Sequence, residues 1–337
     1  MKKNRIIIII TIVLVIIAAY LYFTSKKGTI QKELKDFAIE DTSLITRIFL
    51  ADKSEKRVLL ERIKPEHWTV NGKYKARKDL INVLLKTIKT LKVKSPVSRA
   101  ARDNIIKRLA TSAIKAEIYL GDSEEPVKVY YVGGETQSRT GTYMLLENSS
   151  DPFIIQIPMF SGYLSTRYTT DEYEWRDKTI FNYPFKDIAS VTVEYPSIPN
   201  SSFIISNTGD WTYSLRSLIN NELIPDCDTT RLKIYLTYFK NIQFEGFIRK
   251  LDNAFRDSII SSTPQQIITV SDMSDRSTTI RTFLKPLPGV TFDMAGNQLV
   301  YDIDRMYALI DGQKELVTIQ FFVFDKLLLG IDDFIEN

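Results

Sequence analysis

The stretch His67-Trp-Thr-Val-Asn-Gly-Lys-Tyr-Lys-Ala76 decides the fold of the chain around it. Asn71-Gly72 supplies the two residues with positive φ that a type I′ turn requires, and β-branched and aromatic residues flank the pair. The stretch therefore predicts a β-hairpin. From Leu80 to Leu91, apolar residues recur at helical spacing, and Asp79 precedes them where a carboxylate complements the helix dipole. A helix is therefore predicted directly after the hairpin.

Apolar and β-branched runs on both sides of this hairpin predict further strands. In the first half these runs are Ile45–Leu50, Arg57–Glu61, Lys115–Leu120, Val127–Val132, Thr142–Glu147 and Phe153–Ile157, with a short helix near Asn104–Ala110. In the second half they are Ser190–Glu194, Ser202–Ile205 and Trp211–Leu215, then a helix over about Thr230–Phe239 capped by Asp228 or Thr229. Pro264, Pro286 and Pro288 predict loops. Strand runs broken by helices predict an α+β fold with largely antiparallel sheets.

The two halves repeat the same apolar and aromatic landmarks, first at an offset of 143 residues and later at 164. The matched pairs are Ile45 with Ile188, Ile48 with Val191, Trp68 with Trp211, Tyr143 with Tyr307, Ile155 with Ile319, Phe160 with Phe324 and Leu164 with Leu328. We predict two tandem homologous α+β domains. The alternative is that two unrelated α+β domains share generic strand–helix patterning.

An uncharged stretch of eighteen residues, Ile6 to Phe23, lies near the start of the chain. As a helix it would span about 27 Å, close to a hydrocarbon core of about 30 Å. Tyr20 and Tyr22 suit a membrane interface, and bulky residues stand where a cleavage site needs small ones. We predict an uncleaved signal anchor that crosses the bilayer once, with the N-terminus inside and the folded part extracytoplasmic. The alternative, a cleaved signal peptide, exports the same folded part.

Four segments follow from these observations. They are an anchor with its flanks over 1–29, a basic first repeat over 30–168, an ordered junction over 169–184 and an acidic second repeat over 185–337. The junction contains no glycine and is dense in aromatic and charged residues, which is not typical of a flexible linker. We therefore expect a fixed geometry between the two repeats.

Charge is unevenly distributed along the chain. Residues 30–166 carry a net charge of +6 and residues 167–337 carry −7, and 13 basic residues lie between Lys73 and Lys115. The candidate binding residues are Lys86, Lys89, Lys92, Lys94, Arg99, Arg102, Lys107 and Arg108, with Trp175 and Arg176 of the junction. Anionic lipid headgroups, an acidic partner or the acidic half of the chain itself would suit this surface, and ordinary solvated faces are the alternative. Nucleic acid is not expected, because no recognition motif is present.

The chain holds one histidine, His67, and one cysteine, Cys227. These counts exclude an intramolecular disulfide framework and multi-histidine or multi-thiolate metal sites. We expect His67 at a strand end and Cys227 as an unreactive thiol. Gly133-Gly134 and Gly141 fit no phosphate-binding spacing and predict turns.

Two carboxylate clusters occur in the chain, and sequence alone does not give their separation in space. They are Asp171, Glu172 and Glu174, and Asp302 and Asp304. Such groups serve glycoside hydrolysis or calcium binding. Pairing with Arg176 and Lys178, or simple solvation, is the interpretation we prefer. We predict no catalytic residue, no metal and no cofactor.

Several short motifs together carry a family resemblance: Ile39-x-Asp41-Thr-Ser, Trp68-Thr-Val-Asn-Gly, Tyr131-Val-Gly-Gly-Glu, Gly141-Thr-Tyr and Trp175-Arg-Asp-Lys-Thr-Ile-Phe. With them, essentially the whole chain resembles the uncharacterised bacterial family DUF4340, in the form common among Bacteroidetes. The resemblance implies a protein anchored in the bacterial inner membrane with a periplasmic body. It also implies a link to ABC-2-type transporters for gliding or export, beside which relatives are often encoded. It supplies no catalytic residues.

These observations support one leading hypothesis and two alternatives. The leading hypothesis is a non-catalytic accessory or scaffold protein of a cell-envelope assembly with a protein partner, which the resemblance implies is a transporter. The first alternative is a binding protein for an envelope glycan or lipid, held in a cleft between the repeats near Trp175, Tyr183 and Trp211. The second alternative is a carboxylate-based hydrolase.

Overall fold

The computed structural model describes Val15, residues 36–313 and residues 315–335. Apart from Val15, the predicted anchor Ile6 to Phe23 lies outside the described residues. In the part of the chain that is described, no helix is both long and apolar enough to cross a bilayer. The chain divides after Asp177 into a first unit and a second unit. The boundary falls inside the predicted junction, and the expected fixed geometry between repeats stays a prediction.

The first unit is built on a sheet that has nine antiparallel strands among the described residues, in the order β4-β3-β2-β1-β6-β7-β8-β9-β5. Its strands are β1 (Ile45–Ala51), β2 (Arg57–Lys64), β3 (His67–Val70), β4 (Tyr74–Lys75), β5 (Lys92–Pro96), β6 (Ile114–Leu120), β7 (Lys128–Glu135), β8 (Thr142–Leu146) and β9 (Phe153–Gln156). Its helices are α1 (Lys78–Thr90), α2 (Arg99–Ser112) and α3 (Glu172–Trp175), with 3₁₀ turns at Thr42–Leu44 and Ser165–Tyr168.

Helices α1 and α2 cover opposite faces of this sheet. Tyr130 of β7 belongs to the main core together with the α1 residues Leu84 and Ile88. Its neighbour Tyr131 packs instead with Leu109 of α2 in a separate, smaller cluster. Successive residues of a strand point to opposite faces, so the two helices lie on the two sides of the sheet.

The second unit has a large antiparallel sheet in the order β14-β13-β12-β11-β17-β18-β19-β20-β16, with nine strands among the described residues, and a separate pair, β10 with β15. Its strands are β10 (Thr179–Phe181), β11 (Ile188–Glu194), β12 (Phe203–Gly209), β13 (Thr212–Ser217), β14 (Leu223–Ile224), β15 (Ile242–Gln243), β16 (Gly246–Phe247), β17 (Gln266–Asp272), β18 (Ser277–Phe292), β19 (Gln298–Ile310) and β20 (Val317–Gln320). Its helices are α4 (Thr229–Thr237), α5 (Asn253–Ser261) and α6 (Phe321–Phe324), with 3₁₀ turns at Phe185–Asp187, Pro199–Ser201, Asp325–Leu327 and Ile331–Phe334.

The two large sheets have the same strand order when strands are matched along the chain. They also share an irregularity. The pairing of β1 with β6 shifts register after Ile45, and the pairing of β11 with β17 shifts after Ile188. The offset of 164 residues also places Tyr143 and Tyr307 at equivalent register positions, because Met144 pairs with Phe153 as Ala308 pairs with Val317. The predicted α+β class with largely antiparallel sheets is confirmed.

Two matched pairs of the sequence comparison are wrong. Leu60 pairs with Val70 and Ile205 pairs with Leu215, which makes Tyr213 the equivalent of Trp68. Trp211 lies in the preceding turn with a φ of 56°. Loop lengths differ between the two units. At this hairpin the offset is therefore two residues larger than the 143 inferred from the sequence. Phe160 is exposed and Phe324 is buried, so these two do not occupy equivalent positions either.

Local signals predicted the Asn71-Gly72 turn and the Asp228 cap correctly, but not the position of every glycine and proline. Asn71 and Gly72 both have positive φ, and the Lys73 amide donates to the Val70 carbonyl at 3.1 Å. Asp228 caps α4 by accepting from the Arg231 amide. Pro286 and Pro288, predicted to lie in loops, lie within β18. Proline is tolerated there because β17 pairs with β18 only as far as Thr282, which leaves no ladder bond to lose on that side.

Candidate functional site

The basic residues predicted to bind a ligand are distributed over three elements of the first unit. Lys86 and Lys89 lie on α1, Lys92 and Lys94 lie on β5, and Arg99, Arg102, Lys107 and Arg108 lie on α2. All of them are exposed except Arg102, which is half-buried. Because α1 and α2 cover opposite faces of the sheet, these side chains do not form one continuous basic face.

Two of these basic side chains, Arg102 and Lys94, make contacts within the first unit. The Arg102 guanidinium pairs with Asp151 at 2.7 Å and with Asp103 at 3.2 Å, and it donates to the Ser150 carbonyl. The Lys94 ammonium donates to the Thr140 hydroxyl at 3.2 Å. Lys92 and Lys94 stand on β5, the edge strand of its sheet, where lysines discourage pairing with another chain.

The two junction residues proposed for binding are buried in the first unit. Trp175 is 1% exposed, belongs to the main core and donates from its indole nitrogen to the Thr169 carbonyl at 2.9 Å. Arg176 is 4% exposed, and its guanidinium lies over the rings of Tyr74 and Tyr173. Neither side chain is placed where a surface ligand reaches it.

Main-chain bonds attach this segment to the β3–β4 hairpin. The Arg77 amide donates to the Trp175 carbonyl at 2.7 Å, and the Asp177 amide donates to the Lys75 carbonyl at 2.8 Å. The Asp177 carboxylate also pairs with the Lys75 ammonium at 2.5 Å. We call residues 175–177 the latch. The contacts of the latch hold the last residues of the first unit against the β3–β4 hairpin.

Of the three aromatic residues proposed to recognise a ligand, only Trp211 is exposed. Its side chain is 51% exposed, with the Lys186 ammonium over the ring at 4.6 Å from the centroid. Tyr183 is buried in the core of the second unit, and its hydroxyl bonds to that of Thr278. Burial of Trp175 and Tyr183 assigns them to packing.

The acidic clusters make structural contacts. Asp171 caps α3 by accepting from the Tyr173 amide, and Glu172 accepts from the Asn71 side-chain amide. Asp302 pairs with Lys285 at 2.6 Å and accepts from the backbone amides of Asp304 and Arg305 within β19. Burial acts against ionisation of Asp302, but these hydrogen bonds outweigh it and lower its pKa. A lowered pKa does not suit a general acid that works near neutral pH.

His67 and Cys227 occupy ordinary structural positions. His67 is exposed at the start of β3. Cys227 is half-buried, and its backbone forms an isolated antiparallel β-bridge with Ile335. Gly133 and Gly134, predicted to form a turn, lie instead within strand β7. Gly133 lies under α2, where a Cβ atom would stand 2.4 Å from Leu109 Cδ2 and 2.9 Å from the Tyr143 carbonyl oxygen. The glycine thus permits close approach of a helix to a strand.

A charged network on β6 was not predicted from the sequence. The Lys115 ammonium contacts the carboxylates of Glu117 at 2.8 Å and Glu147 at 3.2 Å, and the Tyr119 hydroxyl donates to Glu117. The hydrogen bond to Glu117 raises the pKa of Lys115. The alternation of Lys115, Glu117 and Tyr119 along one strand face was the available signal, although Glu147 comes from the turn after β8.

Comparison with known proteins identifies the family of this chain. The family described as Domain of unknown function (DUF4340) matches residues 68–259, from β3 of the first unit to α5 of the second. The match covers more than half of the chain, and the chain therefore belongs to this family. No curated protein and no solved structure matches it.

Proposed function

We propose that this chain is a membrane-anchored, extracytoplasmic accessory or scaffold protein of a bacterial cell-envelope assembly, and that it acts by binding and not by catalysis. The observation that carries the proposal is the uncharged stretch Ile6 to Phe23 ahead of two folded units. A stretch of this length suits one crossing of a bilayer. Three basic residues, Lys2, Lys3 and Arg5, precede the stretch and two, Lys26 and Lys27, follow it, so the count favours an N-terminus on the cytoplasmic side by one residue.

We infer further that the two units are homologous copies produced by duplication. Support comes from their identical strand order and from the register shift at the same point of the first strand. Each unit also places one helix on either side of its sheet, because α4 packs in the main core and α5 packs with Phe283 and Tyr307 in a smaller cluster. Two similar bodies on one anchor suit a scaffold that spaces its partners.

The partner surface that we propose is the α1–β5 side of the first unit, with Lys86, Lys89 and Lys92 as its exposed cations. Resemblance to DUF4340 members implies a transporter of the ABC-2 type as the partner. An acidic face on that partner would complement these lysines and speed their association. The lysines and arginines of α2 lie across the sheet and would meet a different neighbour.

Crosslinking in intact cells tests this proposal. A photoreactive residue would replace Lys86, and a second variant would carry it at Ile63, which is exposed on β2. We expect a membrane protein to be captured through position 86 and not through position 63. Capture of no protein through position 86, or equal capture at both positions, would contradict a partner surface on α1.

A charge-reversal pair makes the same test by co-purification. K86E/K89E removes two exposed cations from α1, whereas K56E/K64E removes two exposed cations from another part of the first unit. We expect at least a tenfold loss of recovered partner for the first pair and little change for the second. An equal loss for both pairs would assign the effect to net charge and not to α1.

A further inference from the structure

The hairpin of β18 and β19 extends far beyond its neighbouring strands. Pairing of β17 with β18 stops at Thr282, and pairing of β20 with β19 begins at Arg305. We call residues 286–301 the arm. In the first unit the equivalent connection runs from Glu135 to Thr142 and has no such extension. The arm is therefore not needed to close this type of sheet.

The arm is apolar and nearly without charge. Five of its large apolar side chains are between 44% and 110% exposed, and they are Val290, Phe292, Met294, Val300 and Tyr301. Leu287 and Leu299 are half-buried. Asp293 is its one charged residue, and the Asp293 carboxylate accepts from the amides of Ala295 and Asn297 to form the turn. Exposed apolar surface of this extent marks a site of association.

The two edges of the arm differ in their capacity to pair with another strand. Among the described residues, no strand pairs with the outer edge of either arm strand. On β18, Pro286 and Pro288 lack the amide hydrogen that strand addition uses. On β19, the run from Gln298 to Tyr301 contains no proline. The β19 edge is therefore the one that is open to another strand.

We propose that the β19 edge of the arm pairs antiparallel with the same edge of a second copy of this chain, about a two-fold axis near Val300. This register sets Asp302 opposite Gln298, and Asp304 opposite Gly296, so no like charges meet. It also sets Leu299 opposite Tyr301, an aliphatic–aromatic pair that stabilises antiparallel sheets. The strand can thus pair with itself without placing like charges opposite each other, as a two-fold interface requires.

Insertion of the arm into a bilayer is the less favourable use of the same surface. Both strands would carry unpaired amide and carbonyl groups into hydrocarbon, where each such group is costly. Pairing with a second strand satisfies those groups along β19 and covers apolar side chains in the same step. A second copy always supplies a strand of the required sequence.

A single-cysteine scan tests the pairing in the full chain. Cys227 is the sole cysteine, so C227S provides a background into which Q298C, L299C, V300C and Y301C are placed one at a time. Opposed residues in an antiparallel pair lie about 4.5–5.5 Å apart, within reach of a disulfide. Under mild oxidation in native membranes, we expect a covalent dimer with one sharp maximum at or next to position 300. I63C is the exposed control and should give little dimer.

Three outcomes would overturn the proposal. The first is equal crosslinking at all scan positions or at position 63, which would indicate random collision. The second is absence of a dimer at every scan position. As an independent measurement, V300D should weaken dimerisation of the solubilised chain at least tenfold in sedimentation experiments, and I63D should not. Vesicle binding that V300D abolishes, without any dimer, would assign the arm to a membrane and would also overturn the proposal.

Discussion

The guanidinium of Arg176 lies over the ring of Tyr74, with 3.7 Å between the guanidinium carbon and the ring centroid. The two residues are 102 positions apart in the sequence. Ala76, two residues after Tyr74, also forms a β-bridge with Arg176. The latch therefore holds the end of the first unit against the hairpin near its beginning. A planar guanidinium makes such a stack better than an ammonium does.

We expect R176K to destabilise the first unit by about 2 kcal/mol, because a desolvated cation–π contact is worth roughly that amount. R139K, at an exposed loop arginine, is the control and should change stability little. Urea unfolding followed by tryptophan fluorescence measures both variants. A loss for R176K no larger than that for R139K would contradict a stabilising latch.

Trp175 and Trp211 offer a direct contrast between packing and surface exposure. W175A removes a side chain that is 1% exposed and should cost about 3–5 kcal/mol. W211A removes a side chain that is 51% exposed and should cost less than about 1 kcal/mol. Thermal unfolding of the two variants measures both losses of stability. Equal effects would mean that Trp175 is not a core residue.

Gly133 and Gly246 provide a second matched pair. G133A places a methyl group against Leu109 and the Tyr143 carbonyl, and we expect a loss of about 1–3 kcal/mol from overpacking. Around Gly246 nothing lies within 4 Å of an added Cβ, so G246A should be close to neutral. Chemical denaturation of both variants is the measurement. A neutral G133A would show that α2 moves away from the strand without cost.

Glu117 predicts a pH-dependent contribution to stability. Burial opposes its ionisation, but hydrogen bonds from Lys115 and Tyr119 outweigh burial and lower its pKa below the usual 4.5. A carboxyl group whose pKa is lower in the folded state stabilises the fold above its unfolded pKa, and this contribution is lost as pH falls through the folded pKa. E117Q should therefore cost about 1 kcal/mol at pH 7 and progressively less below pH 4.5.

Melting curves of E117Q and the unaltered chain between pH 3 and 8 measure this effect. E124Q, at an exposed turn glutamate, is the control and should show no such trend. A difference between E117Q and the unaltered chain that stays constant across this range would contradict the role of Glu117.

Sequence predicted those elements whose cause is local. The Asn71-Gly72 turn, the apolar face of α1 and the Asp228 cap each depend on neighbours within one or two turns of chain. Short edge strands such as β5 and β16 were missed, because their pairing is decided by β9 and β20 far along the chain.

The candidate site was less predictable than the fold. A run of basic residues in sequence does not reveal that α1 and α2 lie on opposite sides of a sheet. Likewise, Trp175 and Arg176 stand in a charge-dense segment whose burial depends on the distant Tyr74. The arm was missed because its prolines signal loops, although an unpaired strand edge accepts them.

The side of the membrane on which the folded units lie decides whether the protein is anchored and extracytoplasmic. In a C227S background, I63C of the first unit and F322C of the second both offer exposed positions. Spheroplasts would be treated with a maleimide that does not cross membranes, before and after lysis. We expect both cysteines to react fully in intact spheroplasts and the protein to stay with the membrane fraction. Labelling only after lysis, or a protein that leaves the membrane fraction, would contradict an anchored extracytoplasmic protein.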